Sequence, residues 1–288
     1  GWGYVMSVIE GPPPAQIQSE KDLAEIPPST PGMAQQAQSS VAPGTPSEQT
    51  APNIPAPAIS QAEFPGTEAT IKVSAGNVSY IITNKGAMVK NILLSQHKTA
   101  QGEPIDLVEH ENGGTLPLAL ESSNDQVTNI LQNAYYNPST TSLELSESQP
   151  TGTLKMTLEH SSGVNVVREF TFRHNDFMID VQTRINAPNY ASQNLSYNVL
   201  FGPGMGGKTE SQTNYIVFVG PTTFVNNERA ETPPEDIVNE VTYSGDLAWT
   251  SFQNKYFAAA LIPQEGIKAA VVKKSGEHVY VGLKMESV

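Results

Sequence analysis

The sequence predicts an all-β fold of mainly antiparallel strands, and three features of the chain support this prediction. Short runs of apolar and polar residues alternate along residues 66–288, with almost no helical periodicity. Turn-forming residues separate these runs closely enough for neighbouring strands to be antiparallel hairpins. Hydrophobic residues make up 38% of the 288 residues, which is enough for a sizeable core. The expected architecture is a large antiparallel β-sandwich.

Twelve segments have the composition of strands, since they are rich in β-branched and aromatic residues and bounded by turns. The turns at 84–86 (Asn-Lys-Gly) and 173–176 (Arg-His-Asn-Asp) have matching chemistry. Only two short helices are expected, over residues 123–132 and 232–241. In chain order, the predicted strands are 70–74, 77–83, 87–95, 104–109, 152–160, 164–172, 177–186, 194–201, 214–220, 257–263, 267–274 and 278–285.

Charge and composition exclude several classes of function. The chain has a net charge of −13 and only 16 Lys and Arg residues. Nucleic-acid binding depends on clustered basic side chains that release counterions, so no nucleic-acid partner is expected. The absence of cysteine excludes disulfides, thiolate metal ligands and cysteine nucleophiles. The five histidines lack metal-ligand spacing, and we expect no metal site, no cofactor and no catalytic residue.

Residues 202–209 match the phosphate-loop pattern G-x-x-x-x-G-K-[ST], with Gly202, Gly207, Lys208 and Thr209 at the fixed positions. Such a loop needs a strand before it and a helix after it, because the helix N-terminus supplies further amide donors. A predicted strand precedes the motif, but a polar stretch and another strand-like run follow it. We therefore interpret the motif as a flexible loop between strands and expect no nucleotide.

The chain divides into three parts. Residues 11–65 hold 12 of the 22 prolines among Ala, Gln, Ser and Thr, which predicts a disordered linker, because such a segment buries little apolar surface. Residues 66–288 form the predicted sandwich domain. Residues 1–10 are a short apolar stretch, interpreted either as the end of a trimmed membrane helix or as a loose apolar patch or cloning remnant.

One pair of residues keeps an enzymatic alternative open. Glu159 and His160 lie at the end of a predicted hairpin, where they could form an acid/base pair with a carboxylate across the sheet. Large sandwiches of the mutarotase kind use a His and a Glu to move protons on a sugar ring. The alternative is therefore a carbohydrate-binding or mutarotase-like sugar-processing sandwich.

A more specific signal lies in residues 247–263, LAWTSFQNKYFAAALIP. This segment resembles the signature near the end of the large periplasmic domain of the YidC family of membrane protein insertases. Three further stretches resemble that family in the same order, namely 77–97, 167–189 and 201–206. The side chains that mark the signature are Trp249, Phe252, Lys255, Tyr256 and Phe257.

The resemblance implies a large β-supersandwich, related to the galactose mutarotase-like fold, on the periplasmic side of the bacterial inner membrane. It implies a non-catalytic domain that assists membrane protein insertion and folding, and whose partners are Sec translocon subunits and nascent membrane proteins. Flanking helices would tether the domain to the membrane. The membrane bundle that performs insertion in this family has no counterpart in the sequence.

The signature also carries a structural expectation. Trp249, Phe252 and Tyr256 are spaced three and four residues apart, as on one face of a helical turn, whereas residues 256–262 suit a strand buried on both faces. We therefore expect a short turn or helix that carries Trp249 and Phe252 into the core and leads into a central strand. The alternative is an exposed aromatic platform for sugar or peptide.

Overall fold

The computed structural model describes the chain over residues 2–10, 66–110, 113–206, 218–264, 267 and 269–286. Strands dominate these parts, and the all-β, mainly antiparallel class predicted from the sequence is confirmed. Numbered in chain order, the strands are β1 (Trp2–Glu10), β2 (Thr70–Ser74), β3 (Val78–Thr83), β4 (Met88–Lys98), β5 (Pro104–Asp106), β6 (Ala119–Ser122), β7 (Asn137–Pro138), β8 (Ser142–Glu144), β9 (Thr151–Glu159), β10 (Asn165–Arg173), β11 (Ile179–Asn186), β12 (Ser196–Phe201), β13 (Gly220–Val225), β14 (Glu228–Glu231), β15 (Glu240–Ser244), β16 (Leu247–Gln253), β17 (Phe257–Pro263), β18 (Ala269–Ser275) and β19 (His278–Glu286).

The largest sheet has nine strands in the order β14-β13-β16-β17-β1-β11-β10-β9-β7. Its middle strand is β1, which pairs antiparallel with β17 over residues 4–10 and with β11 over residues 2–6. On one side of β1, β9, β10 and β11 are joined by successive hairpin connections. On the other side, β16 and β17 form a hairpin that pairs with β13 and β14.

Two five-stranded sheets complete the fold, with the orders β15-β18-β19-β12-β6 and β5-β4-β3-β2-β8. Among the described strands, β2 and β8 form the single parallel pair. Buried side chains of all three sheets belong to one hydrophobic cluster, so the sheets share a core. This arrangement places residues far apart in sequence, such as Tyr4, Phe170 and Val281, in the same interior.

The alternation of side chains along β10 shows how a strand meets this core. Val166, Phe170 and Phe172 point inward and are at most 1% exposed, while the intervening side chains are half-buried. Burial of an apolar side chain of this size stabilises the fold by about 1.5–3 kcal/mol. Arg168 occupies an inward position of the same series and is fully buried. A charged group therefore takes the place of an apolar one within the nine-stranded sheet.

The one α-helix of the described residues, α1, spans Asp125–Asn133 and agrees with the helix predicted over 123–132. The side chain of Asn124 accepts a hydrogen bond from the Val127 N–H at 3.0 Å and so caps the helix N-terminus. Val127, Ile130 and Leu131 form the buried face of α1. Their spacing of three and four residues is what places them on one side of a helix.

The prediction of a second helix, over residues 232–241, is wrong. A 3₁₀ helix covers only Pro234–Asp236, and the chain then enters β15. The alternating burial of β15 and its pairing with β18 show that cross-strand contacts, and not helical propensity, determine the extended conformation of residues 240–244. A short 3₁₀ helix also covers Pro188–Gln193.

Of the twelve predicted strands, eleven lie on observed strands. The remaining one, over 214–220, has residues 214–217 outside the described part of the chain, and its last residue begins β13. The expectation of a turn or helix at Trp249 and Phe252 is wrong, because β16 is a strand that pairs with β13 and β17 on its two sides. The expected central strand after it is present as β17.

The interpretation of residues 1–10 as the end of a membrane helix is also wrong, since residues 2–10 form β1 inside the nine-stranded sheet. Tyr4 and Met6 are fully buried, and the ladders to β11 and β17 satisfy the backbone of the strand. Among the described residues, no helix is long and apolar enough to span a membrane. The predicted linker over 11–65 lies outside the described residues and remains a prediction.

Candidate functional site

The turn between β16 and β17 is built around Asn254. Its side-chain Oδ1 accepts hydrogen bonds from the N–H groups of Tyr256 and Phe257, both at 2.9 Å. Its own N–H donates to the Phe257 carbonyl at 2.9 Å. Asn side chains favour such positions because they replace a backbone acceptor within a tight turn. These bonds fix where Lys255 and Tyr256 project from the hairpin.

Asn254 also joins the hairpin to the glycine loop, residues 202–206. Its Nδ2 donates to the Gly206 carbonyl at 3.0 Å, and the Gly206 N–H donates to the Leu107 carbonyl at 2.9 Å. A Cβ at Gly206 would lie 2.6 Å from the carbonyl oxygens of Asp106 and Val108, so only glycine fits there. Two of the stretches that carry the family resemblance thus meet in space.

The backbone contacts of the glycine loop also test whether the phosphate-loop motif could bind a phosphate. The N–H groups of Gly204 and Gly206 donate to the carbonyls of Val279 and Leu107, and are therefore not turned toward a phosphate. Gly207, Lys208 and Thr209 lie outside the described residues, and the first element after the motif in the described chain is the strand β13. The described half of the motif does not fit a nucleotide.

The two aromatic residues of β16 point to opposite faces of the sheet, because residue 252 lies three positions after residue 249 and side chains alternate along a strand. Phe252 is 7% exposed and belongs to the core, as predicted from the sequence. Trp249 is half-buried and stacks on Phe224 of β13, with ring centroids 5.9 Å apart and an interplanar angle of 18°. Sequence reasoning missed Phe224, since the spacing along one strand carries no information on its cross-strand partner.

The remaining signature residues surround the end of the hairpin. The Lys255 ammonium lies 5.3 Å from the centroid of the Tyr256 ring, and both side chains are half-buried. Phe257 is 6% exposed, and the His97 ring meets it edge-on at 5.7 Å. The surface around the turn, which we call the hairpin surface and define by Gln253, Lys255, Tyr256 and His97, presents one cation and partly exposed rings.

A second polar centre lies inside the nine-stranded sheet, at Arg168. Its Nη1 donates to the Ala87 carbonyl at 2.7 Å, and its Nη2 donates to the Tyr4 hydroxyl at 2.6 Å. The guanidinium lies 5.0 Å from the centroid of the Phe170 ring, and its Nε has no hydrogen-bond partner. Among the described residues, no carboxylate pairs with this cation.

Tyr136 belongs to the same buried centre. Burial raises the pKa of its hydroxyl far above the ordinary value, and the nearby Tyr4 adds to this effect. The charge of Arg168 acts in the opposite direction and lowers the pKa of Tyr136, but burial dominates. Tyr136 is therefore a neutral hydrogen-bond donor, and its hydroxyl donates to the Leu131 carbonyl at 3.3 Å.

The structure does not support the acid/base pair considered for Glu159 and His160. The Nδ1 of His160 accepts from the Ser162 N–H at 3.2 Å and lies 2.8 Å from the Ser162 hydroxyl, so the ring is directed at its own turn. Burial lowers the pKa of His160. Glu159 is exposed at the end of β9. No cluster of three metal-binding side chains occurs in the described parts of the chain.

Asp106, His110 and Asn91 form a polar cluster that sequence reasoning missed. One carboxylate oxygen of Asp106 accepts from the N–H groups of Ile92 and Val108, both at 3.0 Å. The other oxygen lies 2.5 Å from Asn91 Nδ2 and 3.0 Å from His110 Nε2. Four donors thus surround this carboxylate, which fastens the segment after β5 to β4.

These features define an all-β sandwich domain whose described polar clusters hold loops and strands together. Residues 70–287 match the family model of the YidC periplasmic domain, and the chain belongs to that family. Three relatives, each named membrane protein insertase YidC, come from Chlorobaculum tepidum, Chlorobaculum parvum and Cupriavidus necator. They are 23%, 24% and 25% identical over 216, 287 and 231 residues, which cover 73%, 97% and 78% of this chain.

The aligned regions are 37%, 46% and 40% of these relatives, so the chain spans less than half of their length. Among solved structures, the chain is similar to a putative aldose 1-epimerase from Escherichia coli K12. The two chains are 11% identical with a TM-score of 0.37, and the alignment covers 77% of this chain and 88% of the other. A likeness at this level assigns no activity to the chain.

Proposed function

We propose that this chain is the non-catalytic periplasmic domain of a bacterial inner-membrane protein insertase, and that it assists insertion and folding by contacting Sec translocon subunits or nascent membrane proteins. The observation that carries the proposal is the family match over residues 70–287, together with relatives named as insertases. Since those relatives are more than twice as long as the matched region, insertion itself is assigned to the complete protein.

The polar groups of the domain support a non-catalytic role. Asp106 has four hydrogen-bond donors, His160 is directed at its own turn, and Arg168 is fully buried. A general acid or base must reach a substrate proton within hydrogen-bond distance, and these groups instead serve internal contacts. A domain of this kind acts by binding.

The hairpin surface is the proposed contact region for a protein partner. It combines half-buried aromatic rings, the Lys255 cation and the neighbouring Trp249–Phe224 stack, and aromatic side chains are enriched where proteins meet. Val238 lies in another loop and is 86% exposed, which makes it a second position at which a partner would be detected.

The proposal can be tested by site-specific photo-crosslinking in cells that express the complete insertase. A photoreactive amino acid is placed at Lys255 or Val238, and at the exposed Thr153 of β9 as a matched control on the far side of the sheet. We expect adducts with Sec subunits or nascent membrane proteins from Lys255 or Val238, and few from Thr153. Equal adducts at all three positions, or none at any, would contradict the proposed contact.

A catalytic assay tests the alternative function, a mutarotase-like sugar-processing sandwich. The purified chain is mixed with an aldose anomer, and mutarotation is followed by polarimetry. No acceleration over buffer is expected, because the described residues do not bring an acid/base pair together around a substrate. Acceleration that disappears in Glu159→Gln or His160→Gln would overturn the non-catalytic assignment.

A further inference from the structure

The position of β1 divides the nine-stranded sheet into two halves. β17 pairs with β1 on one side and β11 pairs with it on the other, both antiparallel. Neighbouring strands lie about 4.8 Å apart, so β11 and β17 are separated by about 9.5 Å, the width of one inserted strand. Without β1, the groove between them would present two unpaired strand edges that face each other.

The connection of β1 to the rest of the fold is unlike that of its neighbours. Residues 11–69 separate it from β2, the next strand in sequence, and its sheet partners β11 and β17 lie still farther along the chain. The strands on both sides are instead joined locally, through β9–β10–β11 and β16–β17. Each half of the sheet is therefore held by its own hairpins and by the shared core, whereas β1 is held by its ladders to β11 and β17, by the core contacts of Tyr4 and Met6, and by the bond from Arg168 to Tyr4.

The groove has a definite chemical preference. Successive side chains of a strand point to opposite faces, and on β1 both faces are buried, with Tyr4 and Met6 fully buried and Val5 and Ser7 at most 8% exposed. Backbone N–H and C=O groups of β11 and β17 bind the occupant from both sides. Arg168 adds a charged donor for an oxygen atom at the position of Tyr4.

We propose that the groove between β11 and β17 is a binding site for an extended apolar segment of another polypeptide, and that residues 2–10 fill it as an intramolecular occupant. The occupant adds a strand by β-augmentation, with both faces apolar and a hydroxyl or carbonyl oxygen opposite Arg168. This inference deepens the proposed function and rests on it for the natural ligand, which is an extended segment of a nascent membrane protein.

Because β1 is part of the same chain, a competing peptide must be present at a high concentration to displace it. A segment tethered within the same chain competes at an effective concentration on the order of millimolar. A free peptide at micromolar concentration therefore fills only about a hundredth or less of the grooves in the intact chain, if both strands bind equally well. Cutting the connection removes this advantage and converts β1 into an ordinary, exchangeable ligand.

The test uses the full chain with a site-specific protease sequence inserted after Gly44. The probe is a fluorescent peptide with the sequence of residues 1–10, and its binding is followed by anisotropy before and after cleavage. We expect saturable 1:1 binding after cleavage and gel filtration, and at least about tenfold weaker binding before it. Circular dichroism of the cleaved chain checks that the remaining strands stay folded.

Two control peptides test recognition inside the groove. A peptide with Tyr4→Phe lacks the hydroxyl that accepts from Arg168, and we expect it to bind about tenfold to a hundredfold more weakly. A peptide with Val5→Pro lacks a backbone N–H in the strand and should not bind measurably. Equal binding of all three peptides would place the probe elsewhere and overturn the proposal.

A disulfide lock provides the matched protein control. Ser7 and Ala260 are register partners on β1 and β17, both are buried, and the chain contains no other cysteine. In Ser7→Cys/Ala260→Cys, we expect oxidation to prevent exchange even after cleavage, and reduction to restore it. Failure of this disulfide to form, or binding that ignores it, contradicts the assigned groove.

The remaining outcomes are also decisive. A cleaved chain that keeps its β1 fragment without exchange, or that unfolds when the fragment leaves, shows that β1 is a permanent core strand and not an occupant of a site. These results would leave the photo-crosslinking at Lys255 and Val238 untouched. Conversely, peptide exchange without crosslinks in cells would retain the groove and reject the proposed partners.

Discussion

The hydroxyl of Tyr4 lies 2.6 Å from Nη2 of Arg168, and this bond connects the first strand of the fold to a cation in the core. The two residues are 164 positions apart, and β11 lies between their strands in the sheet. Arg168 is fully buried, and its other hydrogen bonds go to the carbonyls of Ala87 and Gly86. Neutral oxygens thus solvate a charge that would otherwise lack compensation.

Tyr4→Phe should destabilise the fold, because the buried Arg168 cation loses a hydrogen-bond acceptor. The change removes one oxygen and leaves Nη2 of Arg168 without its acceptor, which costs about 1.5–3 kcal/mol for a bond to a charged group. The free energy of unfolding from urea titration measures the loss. In an Arg168→Met background, the same Tyr4→Phe change should cost less than about 1 kcal/mol, because no charge is left unpaired. Equal costs in both backgrounds would show that the bond does not stabilise the fold.

The two aromatic residues of β16 should respond differently to truncation. Phe252→Ala removes a core ring and should cost about 3–5 kcal/mol in urea unfolding. Trp249→Ala removes a half-buried ring stacked on Phe224 and should cost about 1–2 kcal/mol. Phe252→Leu, which keeps most of the apolar volume, is the control and should lose less than Phe252→Ala. A larger cost at Trp249 than at Phe252 would contradict the observed faces of the strand.

Asn254 should control the order of both the hairpin turn and the glycine loop. Asn254→Ala removes the acceptor for the N–H groups of Tyr256 and Phe257 and the donor to Gly206, so hydrogen exchange should accelerate in both segments. Asn254→Asp keeps the acceptor and loses the donor. In Asn254→Asp, amide hydrogen exchange should therefore accelerate in the glycine loop, while the N–H groups of Tyr256 and Phe257 remain protected. Identical exchange patterns in the two variants would refute this division of roles.

The sequence predicted strands well where apolar and polar residues alternate clearly, as along β9, β10 and β11. It failed at β16, because Trp249 and Phe252 fit a helical spacing and only the pairing with β13 and β17 makes the segment a strand. It also failed at β1, whose partners lie more than 160 residues away. A partner strand that distant cannot be identified from the local residues of the segment.

The contacts of the site show the same limit. The resemblance pointed to residues 247–263 and 201–206, but not to the Asn254–Gly206 bond that joins them. Arg168 was not predicted to be buried, and its contacts with Tyr4 and Ala87 are seen only in the folded chain. An inward position in the alternation of β10 was the one local signal that could have marked it.

The glycine loop should bind no nucleotide. The N–H groups of Gly204 and Gly206 already donate to backbone carbonyls, and a phosphate would have to compete with these bonds. ATP with Mg²⁺ should therefore leave the thermal midpoint unchanged, and Lys208→Ala should change neither stability nor function. A ligand present at a hundred times its Kd would stabilise the chain by about 2.7 kcal/mol, which thermal denaturation detects readily. A shift of that size, lost in Lys208→Ala, would restore the nucleotide interpretation.

His160 should make stability depend on pH near neutrality. Burial favours the neutral ring and lowers its pKa below the ordinary 6.5, and the neutral Nδ1 accepts a hydrogen bond from the Ser162 N–H. The unfolded chain then binds a proton more readily than the folded chain, so this stabilisation is present above the unfolded pKa and is lost as pH falls through the folded pKa. His160→Gln keeps an acceptor that does not titrate. When the pH is lowered from about 7.5 to about 5.5, the urea midpoint should therefore fall more in the parent than in the variant. An equal fall in both proteins would show that His160 does not cause the pH dependence.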